Sequence, residues 1–558
     1  MENSLSLALD ASEEERMKSI NLNVGYNAIE RTWQVIVKYS GREELSLGAE
    51  YKIVNLLNEY AIVETSEKNI MKLANMPRIE YVEKPKRLFF QRNIGKSVSC
   101  INQLQVGDLS IQGEGVIVGV LDSGIDYREN EFRNENGSTR ILEIWDQTIP
   151  GNPPEGYVQG TRYTRDEINN ALENNILLKT RDTSGHGTEV TSIAAGKSGV
   201  APKADIIVVK LGVPQTDGFP RTTELMQGLD YLVRRASVYE KPIVINVSLG
   251  NTYGSHDGSS ILERFVDDIA NYWKTTICVG VGNEGNASGH TSGTVNMGTV
   301  TNIELFIDKR QLSFDLQLWK YYEDDLRITM ITPFGKQIGP IQNNLGTQRF
   351  IAEDTEILLY YGEPSPISVL QEIYIMFIPL GLYVNTGIWN VELQGIKIVT
   401  GKYDFWLPSY GVLNLGTRFG NPTKEGTFTI PSTAMRVISV GAYDGTTFSY
   451  ADFSGRGISG NPRLIKPDLV APGVGVQTTT VGGVIKSVSG TSFATPFVTG
   501  AAALLTEWGI VQGNDSFMYG EKIKAYLRKG ANPMFGFSNY PNQVVGYGRM
   551  CVKESLPI

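Results

Sequence analysis

The chain has 558 residues, of which 41% are hydrophobic and 20% charged, and it carries a net charge of −9 at pH 7. These proportions exclude a disordered, collagen-like or coiled-coil chain, and the length leaves room for two or three domains. The charge is spread along the sequence without a long Lys/Arg run, which argues against nucleic acid as a partner.

The N-terminal region predicts a small α+β domain of the ferredoxin-like kind, for which we take residues 1–91. Strand-like and helix-like segments alternate there, as is typical of such domains. In chain order the strands are Trp33–Tyr39, Tyr60–Thr65 and Ile79–Lys84, and the helices lie near Ala49–Tyr60 and at Glu67–Asn75. Residues 1–16 have neither a basic n-region nor an apolar h-region, so we expect no signal peptide and synthesis in the cytoplasm.

A second pattern covers residues 92–288 and returns over 430–558. Continuous apolar runs such as Val116–Leu121, Ile206–Lys210 and Ile243–Val247 alternate with helical segments. Such runs are typical of strands buried on both faces of a parallel sheet, so we predict an α/β domain with helices on both sides. No run is long enough to span a bilayer, so we expect no membrane span.

Residues 289–429 interrupt this α/β pattern. Short aromatic and β-branched segments, such as Arg327–Thr332 and Gly387–Leu393, are separated by Gly, Pro, Asn and Asp. This pattern predicts an inserted all-β domain, a sandwich or jelly roll.

Four polar residues stand at predicted strand or helix ends. Asp122 follows a buried strand, His186 lies in Gly-His-Gly-Thr, Asn283 lies in Gly-Asn-Glu-Gly, and Ser492 opens an apolar helix. Taken singly, these are compatible with an ordinary turn, a structural histidine, a Gly-Asn turn and a helix N-cap. Their combination in this order is much more specific than any one of them.

With DSGID at 122–126, GHGT at 185–188, SLG at 248–250, GNEG at 282–285 and GTSFATP at 490–496, the chain resembles the subtilisin family, the subtilases. The order Asp, His, Ser is also that of subtilisin. The resemblance implies that Ser492 is the nucleophile, His186 the general base and Asp122 its orienting carboxylate. Asn283 would stabilise the oxyanion.

The same resemblance makes Ser248, Leu249 and Gly250 substrate-binding residues, on a strand that pairs with the substrate backbone beside the S1 pocket. Ser260 and Glu263 form a capping-box pattern that predicts a helix over Ile261–Tyr272. We interpret His256 and His290 as scaffold or solvent residues.

In the family pattern, residues 1–91 resemble a propeptide that acts as chaperone and inhibitor, held in the active-site cleft. Self-cleavage is then expected near Gln91, as the P1 residue. The combination of a propeptide-like segment, a β insertion and an intact triad is similar to the clostridial germination (Csp-type) subtilases. In that group the insertion is a jelly roll, and the protein substrate is the precursor of a spore-cortex hydrolase.

Two alternatives stay open at this point. One is a catalytically silent subtilase that regulates or binds a partner through its insertion, and the other is a general intracellular subtilase. No cofactor is required and no metal ligands are assigned; calcium binding stays open because its ligands can come from separate loops. Cys100, Cys278 and Cys551 are odd in number and far apart, so we expect small buried apolar residues and no disulfide.

Overall fold

The computed structural model describes residues 1–18, 20–41, 43–56, 58–85, 94–106, 109–212, 220–458 and 465–557. The chain divides into two compact units, Met1–Arg92 and Asn93–Ile558. The predicted cleavage residue, Gln91, lies outside the described residues.

The first unit is a five-stranded antiparallel sheet with helices. Its strands follow the order β1-β2-β4-β3, and β5 pairs with β2. Alternate residues of the central strand, Trp33, Val35 and Val37, are fully buried against Ile70 and Leu73 of a helix. The elements are α1 (Asn3–Asp10), α2 (Glu13–Lys18), α3 (Ile20–Asn23), β1 (Tyr26–Asn27), β2 (Thr32–Tyr39), β3 (Lys52–Leu56), β4 (Tyr60–Ser66), α4 (Glu67–Ala74) and β5 (Ile79–Glu83).

The helix predicted near Ala49–Tyr60 is wrong, because this segment forms β3 and a turn. Its residues Ile53 and Val54 are β-branched and pair antiparallel with Val63 and Ile62 of β4. β-Branched side chains lose rotamer freedom in a helix and fit a pleated strand, so pairing with β4 decides the conformation here.

The second unit is built on an eight-stranded sheet with the order β24-β23-β11-β10-β6-β9-β7-β8. Neighbouring strands are parallel except for β7 and β8. The elements before the insertion are α5 (Ile94–Val98), α6 (Asn102–Gln105), β6 (Ile117–Asp122), β7 (Ile141–Asp146), β8 (Thr161–Thr164), α7 (Arg165–Glu173), α8 (His186–Ala195), β9 (Asp205–Lys210), α9 (Thr222–Val238), β10 (Ile243–Val247), α10 (Ile261–Ala270) and β11 (Thr275–Gly280), with a 3-10 turn at Asn130–Phe132.

After the insertion the sheet is completed at one edge and covered by a long helix. These elements are β23 (Ile438–Tyr443), β24 (Leu469–Pro472), β25 (Val476–Thr479), β26 (Ile485–Val488), α11 (Thr491–Thr506), α12 (Glu521–Lys529) and α13 (Val552–Ser555), with a π-helical turn at Glu507–Val511.

Both faces of this sheet are covered by helices, as strand β6 shows. Val118 and Val120 lie in one hydrophobic cluster with residues of α8 and α11. Ile117 and Leu121 lie in another cluster with residues of α9 and α10. Because successive side chains of a strand point to opposite faces, an uninterrupted apolar run is what two covered faces require. The predicted α/β class is confirmed.

The inserted all-β domain is also confirmed. It has a six-stranded sheet, β12-β21-β14-β19-β18-β17, and a five-stranded sheet, β16-β15-β20-β13-β22. Side chains from both sheets, such as Leu305 and Leu316, share one buried cluster around Trp389. Its strands are β12 (His290–Thr294), β13 (Val300–Ile307), β14 (Phe314–Tyr321), β15 (Asp325–Ile331), β16 (Gln337–Ile341), β17 (Gly346–Ala352), β18 (Thr355–Tyr361), β19 (Leu370–Pro379), β20 (Gly387–Lys397), β21 (Lys402–Trp406) and β22 (Arg418–Phe419).

The interpretation of all three cysteines as unpaired is wrong for two of them. Cys100 and Cys551 form a disulfide across 451 residues of sequence, with their Cα atoms 5.0 Å apart, within the usual range for such a bond. Folding brings the start and the end of the second unit together, which the spacing of cysteines in the sequence does not reveal. Cys278 is unpaired and buried, as expected.

The expectation that no run is long enough to span a bilayer is wrong by length, because the apolar segment Thr491–Val511 has the length and composition of a membrane-crossing helix. In the fold, however, 83% of its most apolar window is buried inside the protein. α11 packs against α8 and against β10, β11 and β23, so its hydrophobicity is that of a core helix.

The capping box predicted at the start of α10 is present. The Ser260 hydroxyl accepts from the Glu263 backbone N–H at 3.2 Å, and the Glu263 carboxylate accepts from the Ser260 N–H at 3.2 Å. We expect Ser260→Ala to lower the free energy of unfolding of the second unit by about 1 kcal/mol. Ser260→Thr keeps the hydroxyl acceptor and is the matched control, with a smaller loss expected; a loss equal to that of Ser260→Ala in chemical denaturation would contradict a capping role.

Candidate active site

Three neighbouring parallel strands end at the candidate site. Asp122 is the last residue of β6, Ser248 follows β10, and Asn283 lies three residues beyond β11. β6 pairs with β10, and β10 with β11, in parallel register. Since the carboxyl ends of parallel strands lie at one edge of a sheet, the fold itself gathers these side chains.

His186 and Asp122 are in direct contact. The imidazole Nδ1 lies 2.8 Å from the Asp122 carboxylate Oδ1, which also accepts from the Ser123 backbone N–H at 2.7 Å. The Asp122 side chain is 4% exposed and the His186 side chain 31%, so the carboxylate is shielded while the ring reaches solvent. A carboxylate on Nδ1 favours the tautomer whose proton is on that nitrogen and leaves Nε2 free to accept one.

The segment that carries His186 is fixed by Asp182. One carboxylate oxygen accepts from the Ser123 hydroxyl and the Gly185 N–H, and the other accepts from the N–H and hydroxyl of Thr188, all within 2.7–2.9 Å. Gly187 has no room for a side chain, because a Cβ there would lie 2.1 Å from the Gly124 carbonyl oxygen. This close approach brings the start of α8 against the segment that follows Asp122.

The surroundings of His186 raise its pKa above that of free histidine. Burial disfavours the imidazolium and by itself lowers its pKa. The negative charge of Asp122 and its hydrogen bond outweigh burial, with smaller contributions from Glu189 and Asp182, and raise the pKa of His186 from 6.5 to about 8. The neutral ring therefore predominates only in alkaline solution.

Ser492 is the second residue of α11, which rules out the simple N-cap role because Gly490 occupies that position. It lies in the first helical turn, where backbone N–H groups lack partners within the helix. Its hydroxyl donates to the Ser248 carbonyl oxygen at 3.1 Å. The adjacent Phe493 ring lies 5.3 Å from the His186 ring, which places the imidazole next to this turn.

The side chain of Asn283 is held by Thr491. Its Oδ1 accepts from the Thr491 backbone N–H at 3.0 Å and from the Thr491 hydroxyl at 3.1 Å. This leaves the amide Nδ2, with its two protons, near Gly490, and Asn283 and Ser492 line one cavity. A fixed amide donor that shares a cavity with a serine hydroxyl can stabilise an oxyanion formed in that cavity.

The predicted substrate-binding residues border a cavity of about 250 Å³ that Asn283 and Ser492 also line. Ser248, Leu249 and Gly250 form one side of it. Two further hydrogen bonds hold this side: the Ser248 hydroxyl donates to the Ser492 carbonyl at 3.0 Å and accepts from Asn246. Glu284, Ser409 and Tyr410 line the same cavity.

Sequence reasoning missed several of these residues. Asp182 has a local signal, an acidic residue four positions ahead of a histidine that starts a helix, where Asp often accepts from nearby backbone N–H groups. Ser409 and Tyr410 have no local signal, because they come from the inserted domain. Of the two readings given for His256 and His290, scaffold or solvent residues, the structure favours scaffold: both are buried and both rings stack with Trp406, at centroid distances of 4.3 and 4.8 Å.

Two sequence families match the chain. Residues 1–86 match the Csp protease B prodomain. Residues 113–304 and 419–548 match the subtilase family. The gap in the second match spans most of the inserted β domain, which is therefore additional to the family core.

Among solved structures, the CspB protease of Clostridium perfringens is 35% identical, with a TM-score of 0.77, over 83% of this chain and 97% of that one. Subtilisin-like protease SBT3.8 of Arabidopsis thaliana is 24% identical over 78% of this chain and 62% of its own length. Subtilisin-like protease 5 of Trichophyton tonsurans is 29% identical over 26% of this chain, and the match spans 29% of that relative's length.

Proposed function

The chain belongs to the subtilase family and is a serine endopeptidase, and from this premise we propose that Asp122, His186 and Ser492 form its catalytic triad, with Asn283 as the oxyanion donor. The observation that carries the proposal is the 2.8 Å hydrogen bond between His186 and Asp122 at the strand edge where Ser492 and Asn283 share a cavity.

In this mechanism the Ser492 hydroxyl leaves the Ser248 carbonyl and gives its proton to Nε2 of His186 as its oxygen attacks the peptide carbonyl. Asp122 keeps the imidazole in the required tautomer and stabilises the imidazolium. The tetrahedral oxyanion accepts from Nδ2 of Asn283 and from the Ser492 backbone N–H in the first turn of α11. His186 then returns the proton to the leaving amine, and water releases the acyl group by the same steps.

A fluorophosphonate probe tests this assignment on the full chain. We expect covalent labelling of Ser492, located by mass spectrometry of its peptide, and loss of labelling in His186→Ala, because the hydroxyl then lacks its base. Labelling at another serine, or undiminished labelling in His186→Ala, would contradict the assigned roles.

The pH dependence follows from the raised pKa of His186. The base form is needed for catalysis, so kcat/KM is expected to rise with pH through a midpoint of about 8 and to be lost as pH falls through it. Asp122→Asn removes the charge that raises this pKa and should move the residual activity's midpoint downward. A wild-type midpoint at or below 6.5, the usual value for histidine, would contradict this account.

We further propose that residues 1–91 are a propeptide that the enzyme removes itself near Gln91 and that stays in the active-site cleft. The match of residues 1–86 to a Csp prodomain supports this proposal.

We propose that the substrate is the precursor of a spore-cortex hydrolase. We also propose that the protein is made in the cytoplasm and packaged in the spore. Incubation of the purified precursor with the wild-type protein should yield one defined cleavage. If the precursor stays intact although the fluorophosphonate probe labels Ser492, the protein is a general subtilase.

A further inference from the structure

The hairpin β25–β26 joins the two segments that carry the proposed base and the proposed nucleophile. Resting on the proposed function, we infer that this hairpin is a clamp that holds His186 in a fixed place relative to Ser492. Lys486 is the positioning residue of the clamp, because it ties the hairpin to Glu189 on α8, the helix that begins at His186. Lys486 and Glu189 act through His186 and not by contact with the substrate.

Two paired residues of the hairpin hold Glu189. Thr478 of β25 and Lys486 of β26 are cross-strand partners, so their side chains leave the hairpin on the same face. The Thr478 hydroxyl donates to the Glu189 carbonyl oxygen at 2.7 Å. The Lys486 Nζ lies 3.2 Å from the carboxylate oxygen Oε1 of Glu189. Because successive side chains of a strand alternate, Ser487 lies on the opposite face of the hairpin and takes no part in this contact.

The burial of Glu189 makes this ion pair matter. The Glu189 side chain is 4% exposed and that of Lys486 is 56% exposed. An ion pair between two exposed groups contributes little, but a buried carboxylate that loses its cation is left uncompensated. The same carboxylate lies close to the start of α8, since a Cβ on Gly185 would stand 3.7 Å from Oε1. A shift of this carboxylate is therefore passed to the turn that begins with His186.

The base of the hairpin leads directly to the nucleophile. β26 ends four residues ahead of Ser492. The Gly490 N–H donates to the Gly473 carbonyl at 2.8 Å, and the Gly475 N–H donates to the Ser489 hydroxyl at 3.0 Å. These bonds join the two strands of the chain just before α11, so the hairpin and the first turn of α11 are held as one piece.

The tip of the hairpin reaches the segment that follows Asp122. The Gly482 N–H faces the carboxylates of Asp126 and Glu129. A Cβ on Gly483 would lie 3.2 Å from a carboxylate oxygen of Glu129. The hairpin therefore contacts the segments of all three proposed triad residues, and it holds the helix of the base through the ion pair of Glu189.

The ion pair also acts on the charge of His186. Burial lowers the pKa of His186, and Asp122 on β6 raises it, with smaller contributions from Glu189 on α8 and Asp182 ahead of α8. The neighbouring ring on α11 is uncharged. Lys486 offsets part of the negative charge of Glu189. Loss of Lys486 should therefore raise the pKa of His186, whereas loss of the Glu189 charge should lower it.

The test measures the second-order rate constant of fluorophosphonate labelling at Ser492 across pH, on the full chain and at a temperature at which every variant is folded. Lys486→Met keeps the side-chain length and removes the charge. We expect its midpoint to move up by about 0.3–1 pH unit, and its alkaline plateau to fall by about 10-fold. Glu189→Gln should move the midpoint downward, and Lys486→Arg should restore the wild-type profile.

Lys203→Met is the matched control, because Lys203 is 52% exposed and pairs with Glu114 at 3.5 Å. It should leave the midpoint and the plateau unchanged. Equal profiles for Lys486→Met and Lys203→Met would overturn the inference, as would midpoint shifts of Lys486→Met and Glu189→Gln in the same direction. In both cases a labelled Ser492 leaves the proposed function standing. No labelling of Ser492 in wild type at any pH would overturn the proposed function and the inference together.

Discussion

Ser492→Ala is expected to abolish self-cleavage and leave the chain at its full 61.5 kDa, while wild type separates near residue 91. The substitution removes the nucleophile and leaves the rest of the first turn of α11 intact. In subtilisin itself, loss of the equivalent serine costs about 10⁶-fold in kcat, a figure we borrow from that enzyme. Intact mass and a reducing denaturing gel of freshly purified protein measure the outcome.

Ser487→Ala is the control for this experiment, because Ser487 is an exposed serine on β26 with no place in the site. It should be cleaved like wild type. If wild type also stays whole, the self-processing proposal fails and the catalytically silent alternative gains. If Ser492→Ala is cleaved at the same bond, another peptidase makes the cut.

Asn283→Ala is expected to lower kcat by about 10²–10³ with little change in KM, again by analogy with the equivalent asparagine of subtilisin. The amide donor acts on charge that develops only in the transition state, so its loss affects turnover and not ground-state binding. The substitution also leaves the N–H and hydroxyl of Thr491 without their acceptor. We therefore expect a folded protein that is less stable by about 1–3 kcal/mol.

Asn283→Asp separates these two effects. The aspartate can still accept from Thr491 but has no proton for the oxyanion, so stability should recover while kcat stays low. Steady-state kinetics and thermal unfolding of both variants decide the matter. Turnover within a few-fold of wild type in either variant would remove Asn283 from the oxyanion site.

The features that were predictable from sequence are those with a local physical signature. Apolar runs such as Ile243–Val247 predict strands buried on both faces, and all five of these residues are buried. Asp122 and Asn283 could be placed because strand ends coincide with polar, glycine-rich segments. The capping box of Ser260 and Glu263 is likewise contained within four residues.

The features that were not predictable depend on distant segments. The strand at Lys52–Leu56 takes its conformation from pairing with β4, not from its own propensity. The Tyr410 N–H donates to the Glu284 carboxylate across 126 residues of sequence. No local sequence pattern near either residue predicts this contact. The hydrogen bond from the Ser492 hydroxyl to the Ser248 carbonyl oxygen was also not predicted. The resemblance to subtilisin predicts His186 as the partner of this hydroxyl.

The Cys100–Cys551 bond makes most of the second unit, insertion included, a closed covalent ring. A single break in the backbone anywhere inside this ring leaves both fragments attached, so damage or trimming there passes unseen on a gel run without reductant. A cut ahead of Cys100 lies outside the ring and releases the N-terminal piece under either condition. Running each sample with and without reductant therefore distinguishes propeptide release from internal nicking.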